Sequence, residues 1–193
     1  MGRWEPNTRA RLETAALELF LEHGFAETTV PQIAARAELT NRTFFRHFRD
    51  KREVLFSAGD DFPERITGII RGAPKTDDLW ELVRYGVDTA ARNFFPNRRD
   101  YFRLRRAIIH SDPGLRERDL GKQADLAAAI RAGFLDLGYD DQQATMAAQV
   151  SAVAMHDAID RWIDDDSGAP LEHFVRRNLD TIQAMARAAG TSA

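Results

Sequence analysis

Three helix starts crowd into residues 28–52, TTVPQIAARAELTNRTFFRHFRDKR, and leave room only for short helices joined by tight turns. Thr29 precedes Val30-Pro31-Gln32, so a threonine is followed three residues on by glutamine, with proline in the first turn. That is a capping box, in which side chains satisfy the unpaired N–H groups of a helix start. Thr40, before Asn41-Arg42-Thr43, offers a hydroxyl to a second start. Asp50, before Lys51-Arg52-Glu53, is an acidic version of the same box. The first short helix spans residues 30–37, and Glu38-Leu39 permits only a tight turn. Two short helices across such a turn form a helix-turn-helix.

The second short helix, residues 41–48, has two chemically different faces. Phe44 and Phe48 are four apart and share the side that packs inward against Ile33 and Ala34. The other side carries Asn41, Arg42, Thr43, Arg46 and His47, donors for phosphate oxygens or for base edges in a major groove. Residues 28–52 hold six Lys/Arg (36, 42, 46, 49, 51, 52) against two acids (38, 50), a local balance of +4 in a chain of net charge -3. Local positive charge offsets phosphate and releases counterions. Lys51 and the N–H groups that follow it are expected at a phosphate.

Composition narrows the alternatives. A chain of 193 residues, 44% hydrophobic and 30% charged, can bury a real core in one or two modest domains. Cysteine is absent, which excludes disulfides, thiol chemistry and zinc ribbons. No apolar run approaches the roughly twenty residues that span a bilayer. Residues 1–6 lack the apolar core of a secretory signal, so a cytoplasmic location is expected, with no membrane partner. A pI near 6.0 argues against a generally basic coat protein for nucleic acid.

The remaining pattern is helical throughout, with no strand signal or repeat. The first helix is expected at residues 8–23, with Leu12, Ala16, Leu19 and Phe20 on one face and Gly24 at its end. A mobile arm precedes it, in which Arg3 and Trp4 can reach a minor groove. A fourth helix is expected at residues 51–71, kinked or divided by Pro63 near Asp60-Asp61. Five more follow, at about 76–94, 98–110, 113–137, 140–164 and 170–189, giving about nine. Ala144, Ala147, Ala148, Ser151, Ala152 and Met155 form a stripe of small residues on the eighth, matched by Phe174, Val175, Leu179, Ile182, Met185 and Ala186 on the ninth. Either stripe can serve an intrachain core or another subunit.

The run Ala16-Leu19-Phe20, Gly24-Phe25, Thr28-Thr29-Val30, Ile33-Ala34 and Thr43-Phe44-Phe45-Arg46-His47-Phe48, followed by Asp50-Lys51, closely resembles the DNA-binding domain of the tetracycline-repressor (TetR/AcrR) family over residues 8–56. The resemblance implies an all-α homodimer, with a helix-turn-helix DNA-binding domain (1–50) and a C-terminal ligand-binding and dimerisation domain (51–193). It implies double-stranded DNA with a palindromic operator as partner, contacted by Thr29, Thr40, Asn41, Arg42, Thr43, Phe45, Arg46, His47 and Lys51. Arg42 and Thr43 are expected at base edges; Thr29, His47 and Lys51 at phosphates. Two departures stand out: Glu38 replaces the glycine usual in the turn, and Phe45 replaces a tyrosine whose hydroxyl reaches a phosphate. The Phe44-Phe45 pair is similar to that of acyl-CoA-responsive members.

By the same resemblance the last two helices pair across a two-fold axis, and an apolar effector sits among helices four to eight. Candidate lining residues are Phe62, Ile66, Trp80, Val83, Phe94, Phe102, Phe134 and Met155, with Arg103, His110 and His156 as polar anchors. His156 and Asp160 have a metal-compatible spacing but lack a third ligand, so neither metal nor cofactor is expected. No Gly-x-Ser-x-Gly, His-Glu-x-x-His or phosphate loop is present, so the chain is not read as an enzyme. The expectation is a ligand-responsive repressor released from its operator by a small apolar molecule. The alternatives are a ligand-dependent activator and a protein-interaction module whose DNA binding Glu38 and Phe45 have impaired.

Overall fold

A computed structural model describes residues 7–56 and 61–190. Within these residues the chain forms ten helices and no strand: α1 (Thr8–His23), α2 (Val30–Arg36), α3 (Asn41–His47), α4 (Glu53–Phe56), α5 (Phe62–Arg71), α6 (Leu79–Phe94), α7 (Arg99–Ser111), α8 (Pro113–Asp136), α9 (Asp141–Asp164) and α10 (Leu171–Gly190). The all-α expectation holds. The expected fourth helix is present as two, α4 and α5, with Pro63 in the first turn of α5. Proline suits that position because its missing N–H has no partner there anyway. The expected continuity through 57–60 and, apart from Asn7, the expected arm at 1–7 lie outside the described residues.

The chain divides into two compact units. The first takes residues up to 60 together with Arg103–Leu120; the second takes Asp61–Phe102 and Gly121 onward. α4 shares the core of α1–α3.

That core is built from Leu12, Ala16, Leu19 and Phe20 of α1, Ile33 of α2, Phe44 of α3, Phe48 after it, and Val54, Leu55 and Phe56 of α4. Ile108, Ile109 and Leu115 join it from later in the sequence. Thr28 is wholly buried, yet its hydroxyl lies 2.8 Å from the Gly24 carbonyl and 3.1 Å from that of Leu19, so no polar group is stranded. Gly24 ends α1 at a φ of +82°, and its N–H returns to the Phe20 carbonyl. Phe56 is flanked by two guanidiniums, those of Arg105 and Arg118, at 5.1 and 5.5 Å from its ring centre.

The second unit packs α5, α6, α9, α10 and the later part of α8 around one apolar core. Asp140 caps α9 through the Gln143 N–H while the Gln143 side chain accepts from the Asp140 N–H. The small-residue stripe of α9 belongs to this chain's own core: Ala144, Ala147, Ala148 and Ser151 are buried, as are Val175 and Leu179 of α10. Arg84 pairs with Asp180 at 2.7 Å and Arg176 with Asp88 at 2.7 Å, linking α6 to α10.

Candidate nucleic-acid interface and ligand cavity

All three expected caps are formed. The Thr29 hydroxyl oxygen accepts from the Gln32 N–H, and the Gln32 side chain accepts from the Thr29 N–H at 2.7 Å. Thr40 accepts from the Thr43 N–H at 3.1 Å. Asp50 accepts from the N–H groups of Arg52 and Glu53, at 2.8 and 3.0 Å. Between the first two caps Glu38 occupies the left-handed region at φ +54°, where the turn reverses the chain. Arg11 of α1 braces this turn, donating to the Ala37 carbonyl at 2.6 Å and standing 3.7 Å from the Glu38 carboxylate.

α3 therefore projects a fixed face. Phe44 and Phe48 are buried, ring centres 5.4 Å apart. Asn41, Arg42, Phe45 and Arg46 are exposed and Thr43 is half-buried. Phe45 is 56% exposed despite its size and rests edge-on against Phe44. An exposed aromatic three residues after one arginine and next to another suits a groove that offers thymine methyls beside phosphates.

Other expected contacts sit differently. The Thr29 hydroxyl is 2.8 Å from the Gln32 side-chain oxygen, so its hydrogen is already engaged in the cap. His47 is half-buried, and its Nε2 is enclosed with no hydrogen-bond partner among the described residues. Burial, then the charges of Arg46 and Arg9, hold its pKa below the ordinary imidazole value of 6.5. Lys51 turns inward. Its ammonium donates to the carbonyls of Phe25 (2.6 Å), Ala26 (3.0 Å) and Thr28 (2.8 Å), which uses all three of its hydrogens. Burial lowers its pKa as well. In this structure Lys51 ties the loop before α2, and a phosphate would find no donor left on it. Arg36 is likewise committed, pairing with Glu22 at 2.7 Å and Glu18 at 3.3 Å. Of the six cations in residues 28–52, the exposed Arg42, Arg46, Arg49 and Arg52 make no ion pair with a described residue.

The second unit contains a cavity of about 160 Å³ between α5, α6, α8 and α9. Of the residues expected to line it, Ile66, Val83, Phe134, Met155 and His156 do so. Phe62, Phe94 and Phe102 instead join Phe95 and Trp162 in an aromatic knot, with Phe62–Phe94 centres at 4.8 Å and Phe95–Phe102 at 4.9 Å. Trp80 lies outside the lining and packs against the core edge, near Arg84. Arg103 and His110 belong to the first compact unit and are exposed. Most of the lining was not foreseen from the sequence, Gly86, Gln123 and Leu126 among it. The α8 members, Gln123, Leu126, Ile130 and Phe134, recur at three- and four-residue intervals, and that spacing was the available signal. Among the described residues that line it, none is Lys or Arg. The buried Ser151 hydroxyl already donates to the Ala147 carbonyl at 2.7 Å. His156 stands 3.6 Å from Asp160, and among the described residues no cluster of three metal-ligating side chains occurs.

Two short capped helices across a braced turn, the second burying phenylalanines and exposing arginines, place the first unit in the helix-turn-helix class. Residues 13–58 match the family model of bacterial regulatory proteins, tetR family. Over those residues the chain carries the DNA-binding segment of that family. It is 57% identical over 50 residues to the HTH-type transcriptional regulator TcmR of Streptomyces glaucescens, a match covering 26% of this chain and 22% of TcmR. It is 27% identical over 131 residues to the HTH-type transcriptional repressor Rv3405c of Mycobacterium tuberculosis, covering 67% of this chain and 62% of that protein. The matches thus span less than two thirds of both relatives. Among solved structures, the SmeT–triclosan complex superposes with a TM-score of 0.62 at 20% identity, covering 93% of this chain and 91% of SmeT. Thermus thermophilus FadR in complex with lauroyl-CoA gives 0.52 at 22% identity, covering 89% and 91%. At these identities the two structures establish the fold. No helix among the described residues is long and apolar enough to cross a membrane.

Proposed function

We propose that this protein is a cytoplasmic, ligand-responsive transcriptional repressor that holds a palindromic operator as a homodimer and is released by a small apolar molecule. The observation that carries the reading is the two-sided α3, with Phe44 buried and Arg42, Phe45 and Arg46 presented outward from a braced turn. Arg42 and Thr43 read base edges, Phe45 adds an apolar contact, and Arg46 meets the phosphate backbone. One such helix reads only a few base pairs; two, spaced by roughly 34 Å or a little more, read a palindrome.

The second copy docks on α9 and α10. Their exposed apolar side chains, Met146 (59%), Val153 (60%) and Met185 (68%), lie away from the chain's own core and would be covered in a dimer. The effector occupies the cavity of the second unit. Two neighbours in fold were solved with triclosan and with lauroyl-CoA. The absence of Lys and Arg among the described lining residues favours a neutral compound over the charged part of a coenzyme A ester. Effector binding favours the form whose two reading helices are spaced too widely for the operator, and only its differential affinity for that form sets the response.

Sedimentation analysis of the protein and of Val153→Glu tests the dimer. The wild type should sediment as a dimer and the variant as a monomer with lost operator affinity. A monomeric wild type that still binds its operator tightly would refute the reading.

A further inference from the structure

Gly86 lies in the middle of α6, on the buried stripe that otherwise carries Leu82, Val83, Val87, Ala90 and Phe94. Glycine inside a helix lowers stability relative to alanine, roughly fivefold in the folding equilibrium. Two ordinary reasons for accepting that cost do not apply. Gly86 is not among the glycines with positive φ, which are Gly24, Gly138 and Gly168. It does not serve a close helix approach either, because a Cβ added there meets no atom within 4 Å. Gly133 shows the contrast: a Cβ there would come within 3.0 Å of the Ile70 side chain, which would have to shift to admit it. Gly68 and Gly121 also have open space, but both are exposed, whereas Gly86 is half-buried and lines the cavity.

The space left by the missing side chain is therefore part of the cavity. We infer that Gly86 is the specificity-determining position for effector size, an inference that rests on the cavity being the effector site. The cavity volume, about 160 Å³, compares with the roughly 150 Å³ of an engineered apolar cavity that stays dry and binds benzene. The matching ligand class is a neutral molecule about the size of one ring with a short alkyl extension. The alkyl extension takes the room beside Gly86, and any side chain there competes with it directly.

The test uses the full chain with benzene and n-butylbenzene as probes, read by calorimetric titration and thermal melting. Wild type is expected to bind both. Gly86→Ala should melt no lower than wild type without probe and should lose n-butylbenzene affinity by at least about tenfold while keeping benzene. Gly86→Leu should lose both probes yet still shift flanking DNA, which shows that it is folded. Gly86→Leu binding n-butylbenzene as wild type does, or Gly86→Ala melting lower, would overturn the assignment of Gly86 alone. A wild type that binds neither probe would overturn the effector-site reading and this inference with it.

Discussion

The Lys51 ammonium lies 4.4 Å from the centre of the Phe25 ring and donates to the carbonyl of the same residue at 2.6 Å. A lysine at a helix start, in a basic stretch, is thereby turned away from solvent and into the loop between α1 and α2. Its cation closes three carbonyls across more than twenty residues of sequence.

Replacing Lys51 should therefore act on stability first. Lys51→Ala leaves three carbonyls to find other partners and is expected to cost about 2 kcal/mol. Urea unfolding followed by circular dichroism measures this. On sequence reasoning the same change would weaken binding to every DNA and reduce the salt slope by about one. From the structure the salt slope should hold steady while the unfolding midpoint falls. A slope reduced by one with unchanged stability would return Lys51 to the phosphate.

Glu38 carries the turn at φ +54°, a region where a side chain costs about 1 kcal/mol. Its pairing with Arg11 at 3.7 Å offsets little, because the carboxylate is almost fully exposed. Glu38→Gly relieves the strain but gains freedom in the unfolded chain, so a net stabilisation of about 0.5 kcal/mol is expected. Glu38→Val, β-branched in the same region, should destabilise. The reverse order of stabilities would contradict the strain argument.

His47 links stability to pH. Burial holds its folded pKa below 6.5, so the unfolded chain binds the proton more readily. Its contribution is then present above pH 6.5 and declines as pH falls through the interval between the unfolded and folded values. Below the folded value it declines no further. Melting temperatures across this acidic range should show a slope that His47→Gln removes, and the imidazole resonance should titrate with a midpoint below 6.5. A midpoint above 6.5 in the free protein would contradict the burial argument. Bound phosphate should raise it.

The local chemistry of the helix-turn-helix was readable from the sequence, because a cap depends on residues three apart and nothing else. Thr29-Gln32, Thr40-Thr43 and Asp50-Glu53 are all engaged as their spacing implies. The period of four likewise placed Phe44 and Phe48 inward. What the sequence could not disclose depends on distant partners. Arg103 and His110 were expected as polar anchors for a ligand by resemblance to the family. The helix they sit on, however, gives Ile108 and Ile109 to the core of the first unit. Aromatic residues were similarly ambiguous. Phe62, Phe94 and Phe102 satisfy one another ring against ring, and the cavity is lined mainly by aliphatic side chains and a glycine.

The central claim is that α3 reads DNA twice in one complex. Hydroxyl-radical footprinting of the DNA flanking the protein's own gene, with wild type and Arg42→Ala beside a scrambled control, tests it most directly. The account predicts two symmetric protected patches on one face of the duplex, absent from the scrambled control. Arg42→Ala should lose about 1–3 kcal/mol of discrimination at one base pair per half-site. A single unsymmetric patch, or protection indifferent to sequence and to Arg42, would contradict it.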